Sequence, residues 1–370
     1  MRRLLILTSI YTGHGNKSVA DALEERLAAY GDLETRSVDG FALMNRFEQY
    51  MAEYTYGPIT RMPAKTWELN FAAGQTFKKP VQLAVAAMIR SKLLALLEEY
   101  RPDAILSVHP MFLGAVADVL DDAGLKIPLI AHEVDLVDIA DYWFDARLDW
   151  VLAPSQEAYD ATVARFPRPE NVVRVGFPVR RRFVEAPAPA PHEGTVITVM
   201  SGAEGSGMIY TVVRRLLAHT DAARINVICG RNKRLRKRLW KAFGRRYRGR
   251  LKAMGFVDGV QNIMAESDLL VMRASPNTAM EAVALNVPMI LFGRLAGQEL
   301  HNPDLLVAHG LALYCPEPND LAGCVKAMLA DGGTRMEAMR AAQRAYAPTD
   351  AAEDTARMLN GLIRPLESQR

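Results

Sequence analysis

The chain is poor in cysteine, since Cys229, Cys315 and Cys324 are the only three among 370 residues. Their spacing matches no zinc motif, and an odd, sparse set is typical of a protein kept in a reducing compartment. The sequence also lacks an uninterrupted apolar run of the roughly 20 residues that a membrane-spanning helix needs. Val81–Ile89 comes nearest to such a run, and Arg90 closes it. These absences favour a globular cytoplasmic protein without a structural metal site.

The first residues have the start of a signal-peptide pattern, because Arg2 and Arg3 precede the apolar run Leu4–Leu7. That run is short, and no small-residue cleavage site follows it. We therefore interpret Leu4–Leu7 as the first buried strand of the fold.

Short apolar runs alternate with helical patterns on both sides of one break in the chain. The break is Glu185–Gly194, a Pro/Ala-rich run that suits neither a helix nor a strand and reads as a linker. Predicted strands before it are Leu4–Leu7, Ala104–Val108, Leu129–Ala131 and Trp150–Ala153, and those after it are Val196–Met200, Arg224–Cys229, Leu269–Met272 and Met289–Phe292. Two successive βα series predict an α/β protein with two Rossmann-like domains facing across a cleft.

The segment Glu266–Asn302 carries the densest set of functional signals. The predicted strand Leu269–Met272 is followed by Ser275 and Pro276, which suit the N-cap and first position of a helix. Glu281 lies on that helix, and three polar residues follow the next strand, namely Gln298, Glu299 and Asn302. Helix N-termini bind phosphate, carboxylates bind ribose hydroxyls and amides bind sugar hydroxyls. The combination predicts a sugar-nucleotide site, although an ordinary βαβ unit would have the same helix.

Polar side chains also follow three predicted strands of the first half. These loops are Gly13-His14-Gly15-Asn16, Ser107-Val108-His109-Pro110 and His132-Glu133-Val134-Asp135. Parallel sheets bind ligands at the carboxyl ends of their strands, so these loops would border the cleft. A core position for His109 and a plain surface position for Asp135 both remain open.

Seven loops resemble, in matching order, a glycosyltransferase family. It includes monogalactosyldiacylglycerol synthases, processive diacylglycerol glucosyltransferases and the peptidoglycan GlcNAc transferase. The family's Ser-Val-His-Pro, Gly-Leu-Pro-Val-Arg, Cys-Gly-Arg-Asn and Gly-Phe-Val stretches correspond here to residues 107–110, 176–180, 229–232 and 255–257. Its Lys-Ala-Gly-Pro-Gly-Thr loop and Gly-Gln-Glu signature correspond to residues 273–278 and 297–299. Residues 200–205 match its glycine-rich turn, with Ser201 and Ala203 in place of two glycines.

The resemblance implies a GT-B fold and an inverting, metal-independent transfer of a hexose from a UDP-sugar to a diacylglycerol-type lipid. It implies an acceptor domain at 1–184, a linker at 185–194, a donor domain at 195–348 and a helix at 349–370 that crosses back to the first domain. The chain contains no Asp-x-Asp motif, so helix N-termini and backbone donors would neutralise the leaving group. No cofactor is expected besides the UDP-sugar substrate. The alternatives are a related enzyme with another lipid acceptor, such as a peptidoglycan precursor, and a non-catalytic homologue that binds UDP-sugar or lipid.

The resemblance also assigns residues. The donor site would comprise Gly202, Glu204, Gly205, Gly230, Arg231, Asn232, Phe256, Val257, Ser275, Pro276, Asn277, Thr278, Glu281, Gln298, Glu299 and Asn302. The acceptor site would include Gly13, Gly15, His109 and Pro110. The family's functional histidine aligns with Asn16, two residues after His14, so the catalytic base would be His14 or, as we prefer, Asp135.

The basic run Arg231–Lys252 holds twelve Lys and Arg residues and no acid. Leu235, Leu239, Trp240 and Phe243 recur in it at helical spacing. Such a helix can lie on an anionic membrane, or its apolar stripe can pack on its own domain. No motif supports nucleic-acid binding. Together with the lipid acceptor, the run predicts a peripheral protein on the inner face of the cell membrane.

The segment Phe41–Leu97 fits the βα alternation poorly and is rich in Met, Tyr, Phe and Trp. It is interpreted either as a buried helical layer or as an acceptor-side insertion that meets lipid.

Overall fold

The computed structural model describes residues 1–10, 14–45, 77–187, 191–202, 208–294 and 297–365, and the His14 side chain is left out of the description. The chain forms two compact units. The first contains Met1–Arg180, the short stretch Ala296–Gln298 and Thr349–Arg370, and the second contains Arg181–Leu295 and Glu299–Pro348.

The first unit is built, within the described residues, on a six-stranded parallel sheet with strand order β2-β1-β3-β4-β5-β6. The strands are β1 (Arg2–Thr8), β2 (Leu33–Asp39), β3 (Ala104–Ser107), β4 (Leu129–His132), β5 (Trp150–Ala153) and β6 (Val172–Arg174). The run Leu4–Leu7 is fully buried, as expected for a strand covered on both faces of a parallel sheet. The prediction that this run is a core strand is confirmed.

The helices of the first unit that precede its last strand are α1 (His14–Leu27), α2 (Lys78–Tyr100), α3 (Pro110–Asp122) and α4 (Gln156–Val163). Short 3-10 turns occupy Gly40–Leu43, Asp141–Trp143 and Pro169–Asn171. Of the segment Phe41–Leu97, residues 46–76 lie outside the described residues, and most of the remainder is α2.

The apolar run Val81–Ile89 was predicted to end at Arg90, but it belongs to the longer helix α2. This helix continues past Arg90 and is, by length and composition alone, the one helix among the described residues that could cross a membrane. Val85, Ile89 and Leu93 on one face are buried, and Gln82 Nε2 donates to the Gly114 carbonyl of α3 at 3.0 Å. The buried face of α2 therefore packs against the core of the first unit.

The second unit has, in the part of the chain described, a six-stranded parallel sheet with order β12-β11-β10-β7-β8-β9. Its strands are β7 (Val196–Met200), β8 (Arg224–Ile228), β9 (Leu251–Met254), β10 (Leu269–Arg273), β11 (Met289–Gly293) and β12 (Leu313–Tyr314). Its helices are α5 (Arg181–Val184), α6 (Ile209–His219), α7 (Lys233–Leu239), α8 (Val260–Ala265), α9 (Pro276–Ala284), α10 (Asn302–Ala308), α11 (Leu321–Leu329) and α12 (Thr334–Tyr346).

The first unit ends four residues earlier than the predicted boundary at 184. Helix α5 belongs to the second unit, where it packs against α9. Phe183 on α5 is almost fully buried, which explains why this short helix stays with the second core.

The last helix, α13 (Ala351–Leu362), packs against α1 within the first unit. The Arg26 side chain on α1 is only 2% exposed and pairs with Asp350 at 2.6 Å. Asp350 in turn caps α13, because its Oδ1 accepts from the Ala352 amide at 3.0 Å. A buried arginine and a helix cap therefore share one carboxylate.

Gly176 lies in the turn after β6, with a φ of 84° that favours glycine. A Cβ atom at this position would come within 2.9 Å of the Ala351 Cβ at the start of α13. The glycine permits both the turn and the close approach of the last helix.

The basic run Arg231–Lys252 does not form the single helix that its spacing predicts. It contains α7, a π-helical segment at Trp240–Gly244, a series of turns and the start of β9. Leu239 is fully buried, and Leu235 and Phe243 pack against the same core. Trp240 alone of the stripe is largely exposed, at 62%.

Candidate active site

The loop after β3 places His109 at the N-cap of α3. Its Nδ1 accepts from the Met111 amide at 3.3 Å, and its ring contacts Phe41 and Phe112. The side chain is 6% exposed, and burial lowers the pKa of His109 to about 3. These contacts favour the core interpretation of His109, and a role of His109 or Pro110 in acceptor binding stays a prediction.

The first loop is described only from α1 onward. Gly13 and the His14 side chain lie outside the described residues, whereas Gly15 and Asn16 belong to the first turn of α1. Asn16 Nδ2 donates to the Val108 carbonyl at 2.8 Å. Asn16 thus fastens the start of α1 to the end of β3, and the two loops share one edge of the sheet.

Asp135 follows β4 at that same edge and is 5% exposed. Its Oδ2 accepts a hydrogen bond from Trp143 Nε1 at 2.7 Å, and Trp143 is itself fully buried. An indole donor fixes the carboxylate without placing a counter-charge on it. The position is therefore that of a held buried carboxylate, not of a plain surface Asp.

Glu133 is a second buried carboxyl group in this loop, to which the sequence reading gave no role. Its Oε1 accepts from the Thr162 hydroxyl at 2.8 Å, and its Oε2 has no hydrogen-bond partner among the described residues. The pKa of Glu133 is raised to about 8. Burial is the main cause, the charge of Asp135 adds to the increase, and the hydrogen bond from Thr162 partly opposes it. Glu133 therefore holds its proton at neutral pH.

His132 precedes Glu133 as the last residue of β4 and is fully buried. Its Nδ1 lies 2.7 Å from the Glu133 carbonyl oxygen, and burial lowers the pKa of His132 to about 4. The sequence shows the acidic and histidine residues of this loop but not their burial, because burial depends on α3 packing against β4 and on the contact of Thr162 from α4 with Glu133.

In the second unit, α9 begins at Pro276 with Ser275 as its N-cap, as predicted. The Ser275 side chain makes no capping hydrogen bond. Thr278 and Glu281 are 7% and 8% exposed, one turn apart on the helix. The structure thus places a hydroxyl and a carboxylate near a helix N-terminus, and Asn277, which precedes Thr278, is partly exposed.

Two contacts join the loop after β10 to the polar residues that follow β11. Arg273, the last residue of β10, forms an ion pair with Glu299, with Nε 3.1 Å from Oε2 and Nη2 3.3 Å from Oε1. Asn302 is fully buried and donates from Nδ2 to the Ala274 carbonyl at 3.0 Å. Gln298 precedes Glu299 in the chain and lies in a turn.

Arg273 ends β10 at this edge of the sheet, and the sequence analysis did not assign it to the site. It stands at the lysine position of the family's Lys-Ala-Gly-Pro-Gly-Thr loop, and that alignment was the available signal. Its pairing with Glu299 joins two loops that are 26 residues apart in sequence.

The remaining predicted donor residues that the structure describes follow β7, β8 and β9. Gly202 has a φ of 63° in the turn after β7, and Glu204 and Gly205 lie outside the described residues. After β8, Gly230 has a φ of 55°, and Asn232 caps α7 through a 2.9 Å hydrogen bond from the Leu235 amide.

After β9, Phe256 is 62% exposed, and the Arg231 guanidinium carbon lies 5.8 Å from the centre of its ring. Val257, next to it, is partly exposed. An exposed aromatic ring beside a cation offers a flat surface on which a nucleobase can stack.

The carboxyl edges of the two sheets therefore carry different chemistry. The first has a buried carboxylate held by a neutral donor, and the second has a helix N-terminus, an arginine–glutamate pair and a buried glutamate. Among the described residues no group of three or more His, Cys, Asp or Glu side chains could hold a metal ion.

Comparison with known proteins gives two family matches in chain order. Residues 16–179 match the monogalactosyldiacylglycerol (MGDG) synthase family, and residues 196–354 match the glycosyltransferase family 28 C-terminal domain.

Curated relatives and a solved structure match over most of the chain. The chain is 27% identical to the chloroplastic monogalactosyldiacylglycerol synthase of Spinacia oleracea, covering 98% of this chain and 73% of that protein. It is 24% identical to the processive diacylglycerol beta-glucosyltransferase of Bacillus subtilis strain 168, covering 90% and 88%. The crystal structure of Acinetobacter baumannii MurG superposes with a TM-score of 0.65 at 12% identity, covering 98% and 100%.

The two family models together account for most of the chain, and they divide it near the boundary between its two units. The chain therefore has the GT-B fold and belongs to the glycosyltransferase family that includes MGDG synthases and processive diacylglycerol glucosyltransferases.

Proposed function

We propose that this protein transfers a hexose from a UDP-sugar to the hydroxyl group of a diacylglycerol-type lipid, with inversion at the anomeric carbon and without a metal ion. The observation that carries the proposal is the set of residues that follow the strands β10 and β11, namely the buried Thr278 and Glu281 of α9 and the Arg273–Glu299 ion pair. The names of the plant and Bacillus relatives support a diacylglycerol acceptor.

Donor binding uses the second unit. Glu281 accepts hydrogen bonds from the ribose hydroxyls, and the start of α9 with Thr278 and the Gly202 turn binds the diphosphate. Phe256 and Val257 hold the uracil, while Gln298 and Glu299 bind the hexose hydroxyls. Asn302 fixes the loop after β10 in place through its bond to Ala274.

The chemical step needs one base and one stabilised leaving group. Asp135 takes the proton from the acceptor hydroxyl, and the acceptor oxygen attacks the anomeric carbon from the face opposite UDP. The bond between that carbon and the phosphate oxygen breaks, and UDP leaves with the electron pair. Trp143 keeps the Asp135 carboxylate oriented throughout. His14 is the alternative base.

The membrane surface is reached, in this proposal, by the basic residues around Trp240. Lys237 and Lys241 flank Trp240 along the chain, and all three side chains are exposed. Basic side chains attract anionic lipid head groups, and an exposed Trp lodges at the interface. The protein then works as a peripheral protein on the cytoplasmic face of the cell membrane.

The proposal is tested by turnover of radiolabelled UDP-glucose and UDP-galactose on vesicles of anionic phospholipid that carry either diacylglycerol or a polyprenyl-linked peptidoglycan precursor. We expect a labelled glycolipid in the presence of EDTA, with a β-linkage by NMR if the donor is the α-anomer. Label transferred only to a polyprenyl-linked precursor would favour another lipid acceptor. Binding of UDP-sugar without turnover on any lipid would favour a non-catalytic homologue.

A further inference from the structure

Arg273 ends a central strand of the second sheet, since β10 lies between β11 and β7. Its side chain is only 18% exposed. A guanidinium group keeps its charge under all physiological conditions, and desolvation strengthens its interaction with an anion. A fixed positive charge therefore stands at the edge where the donor is expected to bind.

The Arg273 side chain reaches the turn after β7. A Cβ atom at Gly202 would lie 4.0 Å from Arg273 Nη2, so the backbone of this turn and the guanidinium are neighbours. Ser201, next to Gly202, is 2% exposed, and its Oγ has no hydrogen-bond partner among the described residues. A buried hydroxyl of this kind calls for a partner that the described protein atoms do not supply.

Glu299 holds the guanidinium through both of its carboxylate oxygens. The Glu299 side chain is 8% exposed, so the pair is largely shielded from solvent. A carboxylate at this place acts differently on two ligands. It repels the terminal phosphate of free UDP, which carries more negative charge than the bridging phosphate of a UDP-sugar, and it can accept hydrogen bonds from sugar hydroxyls.

We propose that Arg273 is the cation that binds the donor diphosphate and that Glu299, its ion-pair partner, makes the site prefer a UDP-sugar over free UDP. The inference rests on the proposed function and adds to it a determinant of substrate over product. Loss of the hexose in the reaction leaves a more highly charged phosphate beside Glu299, and the resulting repulsion promotes release of UDP.

Calorimetric titration of the full chain with uridine, UDP, UDP-glucose and UDP-galactose tests this inference. We expect Arg273→Gln to weaken binding of UDP and of the UDP-sugar at least tenfold, because a charge-assisted pair is lost, and to leave uridine binding unchanged. We expect Glu299→Gln to tighten UDP binding about threefold or more and to weaken binding of the preferred UDP-sugar about tenfold. In Glu299→Gln the affinity for UDP would then rise while the affinity for the UDP-sugar falls. A loss of folding would lower both affinities and cannot produce this result.

A matched pair in the same sheet provides the control. Arg224 at the start of β8 and Glu266 form an ion pair at 3.2 Å at the other edge of this sheet. Arg224→Gln and Glu266→Gln should leave all four affinities unchanged. Thermal melting of each variant, with Arg273→Lys included, checks that the unit remains folded.

The outcomes separate the inference from the function on which it rests. If the wild-type chain binds UDP and the UDP-sugar while Arg273→Gln binds them equally well, the assignment of Arg273 is wrong and the proposed function stands. If Glu299→Gln weakens UDP and UDP-sugar by the same factor, Glu299 does not discriminate between them. If the wild-type chain binds none of the nucleotides, the proposed function and this inference both fail.

Discussion

The buried carboxylates of the two units are held by different kinds of partner. In the first unit, Asp135 and Glu133 accept hydrogen bonds from an indole and a hydroxyl group, which are neutral. In the second unit, Glu299 is held by the Arg273 guanidinium. A carboxyl group beside a neutral donor, as Glu133 is beside Thr162, can take up a proton without losing that contact, whereas one beside an arginine is stabilised in its ionised form.

The difference in partners suggests that buried carboxyl groups in the two units serve different functions, namely proton transfer and substrate binding. Both sets of carboxylates follow strands of parallel sheets and are equally well buried, so position in the topology does not distinguish them. The identity of the neighbouring donor does. Neutral donors suit a group that moves a proton, and a fixed cation suits a group that binds a charged substrate.

The largest effect is expected at Asp135. Asp135→Asn should reduce kcat on the order of 10²–10⁴-fold while UDP affinity stays the same, because Asn accepts no proton and the donor site is separate. Steady-state assays on vesicles and calorimetry with UDP measure the two quantities. Asp138→Asn, in the same loop, is the control. Normal turnover by Asp135→Asn together with an inactive His14→Ala would mean that His14, and not Asp135, is the catalytic base.

The next largest effect is expected at Glu281, which tests the binding side of the comparison. Glu281→Ala should weaken UDP binding at least tenfold, since hydrogen bonds to a charged group contribute roughly 1.5–3 kcal/mol. Glu281→Gln keeps the shape of this buried side chain and should show most of the loss with little change in melting temperature. Glu337→Gln on the exposed face of α12 is the control. UDP affinity equal to that of the wild type would exclude the ribose contact.

A smaller effect, on stability, distinguishes Glu133 from the ion-paired carboxylates. The folded protein holds the Glu133 proton up to a pKa of about 8, whereas the unfolded chain releases it near the ordinary value of 4.5. The unfolded state therefore binds fewer protons between these values, and this group lowers the free energy of unfolding as the pH rises through that window. Below 4.5 and above 8 its contribution is constant.

Glu133→Gln removes that titration and keeps the hydrogen bond to Thr162 possible. Urea unfolding at pH 5 and pH 8 should show the variant gaining stability relative to the wild type by at least about 1 kcal/mol between the two values. Glu157→Gln, on the same helix as Thr162, serves as the control. A stability difference that does not change with pH would mean that Glu133 is ionised in the folded protein.

The sequence predicted the strands that are buried on both faces, but it did not predict the edge strands. Leu4–Leu7 and Val196–Met200 are continuous apolar runs and were placed correctly. The strands β2, β6, β9 and β12 were missed because they are short or carry charged residues such as Glu34 and Lys252. Their place at or near the sheet edges follows from pairing with a neighbour, which is a property of the tertiary fold.

The site shows the same limit. Motifs located Ser275, Pro276 and Asp135 at the ends of strands, since loop position can be read from the chain. The pairing of Arg273 with Glu299 and the burial of Glu133 could not be read in this way. Both depend on side chains from distant segments, Glu299 in the loop after β11 and Thr162 on α4.

The smallest effect is expected on membrane binding by the exposed basic surface around Trp240. The charges there are solvated, unlike the buried charges compared above. Lys237→Gln should weaken binding to anionic vesicles about fivefold at low salt, because one basic side chain near such a surface contributes about 1 kcal/mol. The loss should shrink at high salt, since screening removes most of the attraction between exposed charges. Vesicle sedimentation measures both. Lys126→Gln, an exposed lysine of the first unit, should bind as the wild type does. Equal binding of the wild-type protein to neutral and anionic vesicles would show that these charges do not determine its membrane contact.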